Sequence, residues 1–265
     1  MPRAAPGSRT CIEYLVGHAG RIFVGTAGWS IPRAIATEFP GIGSHLQRYS
    51  RILNGAEINS SFHRPHARAV YERWAASTPQ HFRFSVKLPR TITHEGELRR
   101  ARAGLDAFFE QVSGLGPKLG PVLVQLPPSL AFNARVARAF FDALRTIYQG
   151  HVVCEPRHPS WFEGKAEELL VVARVARAAT DPSRIPAAKV PGGCTPEQGG
   201  VTYYRLHGSP RKYWSRYPPD RIRQWAEELE CHAVKGSPWC IFDNTASGAA
   251  AENALELRDQ LRADS

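Results

Sequence analysis

Apolar positions along this chain follow two alternating rhythms. Short runs rich in β-branched and aromatic residues occur at 21–27 (RIFVGTA), 55–59 (GAEIN), 82–88 (FRFSVKL), 121–127 (PVLVQLP), 151–156 (HVVCEP), 173–180 (ARVARAAT), 201–207 (VTYYRLH) and 238–244 (PWCIFDN). These predict strands. Longer segments of helical period predict helices over 44–53, 66–77, 99–114, 133–148, 162–172, 219–233 and 248–262. In NARVARAFFDALRTIY, Val136, Phe140, Phe141, Leu144 and Ile147 recur at helical spacing, and Asn133 stands where its side chain can cap the first turn. Between the sixth and seventh strands, DPSRIPAAKVPGGCTPEQGG carries four prolines and four glycines, so a loop is expected there in place of a helix. Strands alternating with helices in this way predict an α/β fold, a parallel (β/α)8 TIM barrel whose sixth βα unit is irregular. A doubly wound open sheet is the alternative, but GTAGWS at 25–30 lacks the dinucleotide fingerprint that would follow its first strand. A single domain over 21–265 is expected, preceded by a basic arm at 1–20.

Successive strand side chains point to opposite faces, so parity assigns each residue to the axis or to the surrounding helices. Phe82, Phe84, Val86 and Leu88 share one face, and Arg83, Ser85 and Lys87 the other. Glu57 goes with Asn59, Glu155 with Arg157, and Arg205 with His207. Gln125 stands opposite Val124 and Leu126, and Asp243 opposite Phe242. The apolar face is expected to pack on the helices and the polar face to point inward. The polar residues gather at the C-terminal ends of the strands, where barrel enzymes carry their sites. A mutually satisfied ion network is the competing reading. Such networks incur a desolvation penalty that apolar packing avoids, and their recurrence on strand after strand favours a functional pocket.

Composition narrows the partners. The net charge of +10 favours anionic ligands. No apolar run reaches the roughly 18–20 residues of a membrane helix, so no membrane partner is expected. Cys11, Cys154, Cys194, Cys231 and Cys240 form no CxxC pair, and this odd, scattered set predicts free thiols and a cytoplasmic protein.

Glu57, Lys87, Glu155, His207 and Asp243 are the candidate catalytic residues. Glu155 and Glu57 have their ionisation open to splitting by burial and by cationic neighbours, and His207 is suited to proton transfer. Asn59, Gln125, Arg157 and Arg205 are candidate substrate-binding residues, with Arg157 in a turn that pins a neighbouring carboxylate. The expected chemistry is acid–base catalysis, of a hydrolase or isomerase, on a phosphorylated or other small anionic substrate. No cofactor is required for it. A divalent metal is the variant reading, with His94, His158 and Asp181 as ligand types that lack HxH or HExxH spacing. The segment SPRKYWSRYPP at 209–219 interleaves Arg211, Lys212 and Arg216 with Tyr213, Trp214 and Tyr217. That composition suits either single-stranded nucleic acid or a lid over a substrate, which adds Arg211, Tyr213 and Trp214 to the binding candidates. The basic run ELRRARAG at 97–104 reads as a solvated helix start.

The motifs VGTAGWS, EINSSFHRP, FRFSVKLPRTITHE, LGPVLVQLPPS, EPRHPSW, YYRLHG and FDNTASGAAAENALEL occur in order over about 21–262. In this the chain resembles the YecE-like family, the seventy-second of the numbered families of unknown function. The resemblance implies a TIM barrel without a settled reaction. Distant similarity of that family to sugar-isomerase and endonuclease barrels suggests nucleic-acid processing as the alternative activity. Pro156, His63 and Asp243 depart from the aromatic, tyrosine and asparagine common at those places, and Asp243 adds a charge.

Overall fold

The structure, a computed structural model, describes residues 20–263. The expected arm lies outside the described residues except for Gly20. The strands are β1 (Phe23–Thr26), β2 (Gly55–Ile58), β3 (Arg83–Lys87), β4 (Leu119–Gln125), β5 (Val152–Glu155), β6 (Val175–Arg177), β7 (Ala179–Asp181), β8 (Gly192–Gly193), β9 (Tyr203–Leu206) and β10 (Trp239–Phe242). The helices are α1 (His45–Tyr49), α2 (Arg68–Ala76), α3 (Arg102–Val112), α4 (Ala134–Ile147), α5 (Gly164–Val172), α6 (Pro219–Ala233) and α7 (Ala249–Ala263).

The strands form two sheets, β1-β10-β9-β7 and β2-β3-β4-β5-β6-β8. Every pairing is parallel except the short β6–β8 pair. The sheets meet at two places. At one, the expected sixth strand breaks after Arg177: β6 pairs with β5, Ala178 donates its N–H to the Cys154 carbonyl, and β7 then pairs with β9. At the other, β1 and β2 share one bridge between Ala27 and Glu57. Side chains complete that join. The Asn54 amide accepts from Val24 N–H at 2.8 Å and donates to the Ile22 carbonyl at 2.7 Å. The Tyr49 hydroxyl accepts from Thr26 N–H at 2.9 Å and donates to the Gly55 carbonyl at 3.1 Å. The result is a mixed α/β fold with parallel sheets, barrel-like in arrangement.

No α-helix follows β7. Residues 182–200 fold into short 3-10 turns around β8, as the proline and glycine content predicts. Arg177 secures them, donating to Glu167 and to the Ala187 and Val190 carbonyls.

Parity places the residues as expected, with one refinement. Ala56, Ile58, Phe84, Val86, Val122, Val124, Cys154, Leu206, Cys240 and Phe242 pack outward against helix residues such as Phe140, Phe141 and Leu144. The inner face is layered rather than polar throughout. Leu123, Val153, Ala176, Ala178, Val201, Tyr203, Trp239 and Ile241 form a separate apolar plug. Glu155, Arg205 and Asp243 each stand two residues beyond a member of this plug, Val153, Tyr203 and Ile241.

Candidate active site

Arg205, on β9, is the hub of the charged layer and is 1% exposed. Its Nε and Nη2 donate to Glu57 at 2.8–3.2 Å, and Nη1 donates to Glu155 at 3.0 Å. Nη2 also meets Asp243 at 3.0 Å. Tyr203, two residues before Arg205 on the same face, places its hydroxyl 3.0 Å from Glu57 and 2.9 Å from Ser85. Arg157 closes on Glu155 at 2.9 Å, as its turn predicts, and donates to the Tyr213 hydroxyl at 3.2 Å. His207 bonds Asp243 through Nδ1 at 3.0 Å, while its buried Nε2 stands 3.5 Å from Glu155 without a hydrogen bond.

These contacts fix charge states. Burial alone would raise the Glu155 carboxyl, but Arg157 and Arg205 hold it well below the usual carboxylate range. Burial would likewise raise Asp243, and Arg205 and His207 bring it down. Burial works against the Arg205 guanidinium, but Asp243, Glu57 and Glu155 keep it charged. The sequence left open that burial and neighbours would split two carboxyls into acid and base. Glu155 is instead held ionised, with both oxygens engaged by arginines.

Lys87, at the end of β3, differs from its neighbours. It is 5% exposed, yet among the described residues its ammonium forms no ion pair. It lies over the Phe62 ring, 3.9 Å from the centroid. Burial, reinforced by Arg205, brings its pKa down to about 8 against the partial opposition of Glu57, Glu155 and Asp243.

Lys87 opens into a cavity of about 410 Å³. Of the sequence-predicted residues, Asn59, His94, Gln125, Arg157, Arg205, Tyr213 and Asp243 line it, joined by Phe62, His63, Arg90 and Thr245. His94 bonds Thr93 at 2.9 Å and approaches the Gln125 amide at 3.4 Å. Burial and then Lys87, Arg157 and Arg90 push its pKa down, so it is neutral at pH 7. A second cavity, of about 650 Å³, lies across Arg157 and is lined by Glu155, His207, Arg184 and Lys212 among others.

The other expected residues are dispersed. His158 caps the turn at Pro159–Phe162, accepting from Ser160 N–H at 3.2 Å. The Asp181 carboxylate faces Arg221 at 3.9 Å. Among the described residues no group of three or more His, Cys, Asp or Glu side chains is placed to hold a metal ion, so His94, His158 and Asp181 do not assemble into a metal centre. On the rim the expected stripe splits. Tyr213, in the left-handed region at φ 65°, turns into the cavity, whereas Trp214 stays 46% exposed under the Arg211 guanidinium, 4.6 Å from its ring centroid. The run 97–104 does hold the start of α3, but only from Arg102: Glu97, Leu98 and Arg100 before it adopt positive φ, and Leu98 is buried rather than solvated.

Tyr203 was missed by the sequence reading, although strand parity makes it an inward neighbour of Arg205, and Ser85 was placed on the inward face with Lys87 but not named as a site residue. Phe62, His63, Arg90 and Thr245 come from connections after strands, where no periodic pattern marks direction.

Known proteins resemble this chain over most of its length. The UPF0759 protein YecE of Escherichia coli K12 is 33% identical over 153 residues, 56% of this chain and 53% of that protein. The chain thus spans about half the length of that relative. The UPF0759 protein YunF of Bacillus subtilis is 24% identical over 268 residues, covering 91% of this chain and 94% of that protein. A crystal structure of a DUF72 family protein from Enterococcus faecalis V583 superposes with a TM-score of 0.75 at 20% identity, covering 91% of this chain and 95% of that one, which shows a shared fold. The model of the family described as "Protein of unknown function DUF72" matches residues 23–265, and the chain belongs to that family.

Proposed function

We propose that the two sheets form a (β/α)8 barrel, with β6 and β7 acting as one strand, and that the chain is an enzyme for a small anionic substrate. The cavity at the strand ends is its site. Arg90 and Arg157 receive a phosphate or carboxylate group. Asn59 and Gln125 supply neutral hydrogen bonds. Lys87 takes and returns a proton, with neutral His94 as a second proton-transfer group. Glu57, Glu155, Asp243 and His207 act by positioning: they hold Arg205 and Arg157 and keep the inner layer near neutrality. The observation that carries this reading is the Lys87 amine, nearly buried, outside the ion network and tuned to about 8, where a general acid–base group works near physiological pH.

A panel of phosphorylated and carboxylated small molecules, screened by thermal shift at low salt, tests it. A binder present at 100 times its Kd should raise stability by about 2.7 kcal/mol, and Arg157→Gln should remove the shift. The exposed Arg211–Trp214 pair favours a second reading, single-stranded nucleic-acid binding. Binding to oligonucleotides that falls steeply with salt and disappears in Trp214→Ala would support that reading. If oligonucleotides bind in this way and no small anion shifts the melting point, the enzyme reading fails.

A further inference from the structure

We propose that Lys87 is a covalent nucleophile: its amine condenses with the carbonyl of a small aldehyde or ketone whose anionic group is held by Arg90 and Arg157, forming an imine. This rests on the reading of the cavity as an anionic-substrate site and adds the substrate class, an anionic carbonyl compound.

Three features of the geometry carry it. First, the three carboxylates of the charged layer are already engaged, Glu57 and Asp243 by Arg205 and Glu155 by Arg205 and Arg157. Lys87 therefore gives up its proton without breaking an ion pair. Second, the cations Arg157, Arg90 and Arg205 line the cavity beside it, and a lysine desolvated near other cations is the arrangement that frees an amine as a nucleophile. Third, the Phe62 ring covers one side of the ammonium, while neutral His94 lines the same cavity. With a pKa of about 8 in place of 10.5, the neutral amine fraction at pH 7 is roughly 300-fold larger than for an ordinary lysine.

The step balances. The amine lone pair forms the C–N bond as the carbonyl π pair moves to oxygen. One proton passes from nitrogen to that oxygen through His94. A second proton, equivalent to the one Lys87 shed on becoming neutral, leaves with the hydroxyl as water, and the product is a protonated imine on Lys87.

Reductive trapping tests this. The full chain is incubated with dihydroxyacetone phosphate or with pyruvate and sodium cyanoborohydride at pH 7, and the adducts are mapped by peptide mass spectrometry. The expected result is saturable labelling of Lys87 at least about 100-fold faster than of the exposed Lys165 and Lys189. Labelling should be competed by inorganic phosphate in the phosphate arm, and absent in Lys87→Arg with the fold verified by circular dichroism. The arm that labels identifies the anionic group. Labelling of Lys87 no faster than of Lys165 and Lys189 overturns the proposal, and this comparison needs no variant. Thermal shift with glycerol 3-phosphate and with lactate, which have no carbonyl to condense, separates the two levels. If either stabilises the protein while neither probe labels Lys87, the imine is wrong and the anion site stands. If neither stabilises and neither probe labels, both fail.

Discussion

The Lys87 ammonium sits among carboxylates that arginines already occupy, so its desolvation is only partly offset. The consequence for stability follows from linkage. Its pKa is about 8 in the folded state against 10.5 for the free side chain. Below pH 8 both states are protonated and the folded protein bears the whole cost. Between pH 8 and 10.5 the unfolded state holds more proton, so stability rises with pH. Lys87→Met should therefore be more stable than the parent at pH 7, by up to about 3 kcal/mol, and the advantage should shrink toward pH 10.5 in urea melts taken along the pH series. Glu155 and Asp243 have the opposite sign. Their folded pKa values are depressed, so their contribution is present above the unfolded values near 4 and is lost as pH falls through the folded ones. Glu155→Gln should flatten the acid limb of the stability curve and destabilise the protein at pH 7 by about 3–5 kcal/mol, since Arg157 and Arg205 lose the charge they share. At this scale strand parity made much legible: Glu57, Ser85, Lys87, Glu155, Tyr203 and Arg205 all read as inward from alternation alone. It does not extend to Phe62 or Arg90, which leave the strands before their direction is set.

Among the elements, the join between β1 and β2 is a tight constraint. A Cβ on Gly25 would stand 2.0 Å from the Gly55 carbonyl oxygen. Glycine there lets the two strands approach where the Asn54 and Tyr49 side chains replace most of the ladder. Gly25→Ala should cost about 3 kcal/mol or more, read as a lowered urea midpoint. Helix ends are gentler. The Asn133 side chain accepts from Val136 N–H at 3.1 Å, and Asn133→Ala should cost about 1 kcal/mol with an unchanged m-value. The expected 133–148 helix and the observed α4 nearly coincide because cap and apolar stripe agree. The expected 99–114 helix starts late because left-handed residues at 97, 98 and 100 must reverse the chain first, a tertiary requirement that overrides good helix formers. The sixth strand also divides, since its two halves face different partners.

In the whole molecule Arg205 spans the division between the sheets. It stands on β9 of one sheet and reaches Glu57 on β2 and Glu155 on β5 of the other, while also meeting Asp243 beyond β10. Arg205→Met should lower stability by at least about 3 kcal/mol by leaving buried carboxylates without their cation. Binding of any cavity ligand should be lost with it, which calorimetry on the refolded variant would measure. No helix among the described residues is long and apolar enough to cross a membrane. The sequence by itself determined the order of strands and helices, the face of each strand residue and the end of the strands where charge collects, because alternation and helical period are local properties of the chain. Only the tertiary structure decided which charges pair, which rim aromatic turns inward, and that Lys87 stands outside the ion pairs formed among the described charged residues of its layer. Those outcomes depend on side chains about 50 to 150 residues apart competing for the same few ångströms, a competition that no local pattern records.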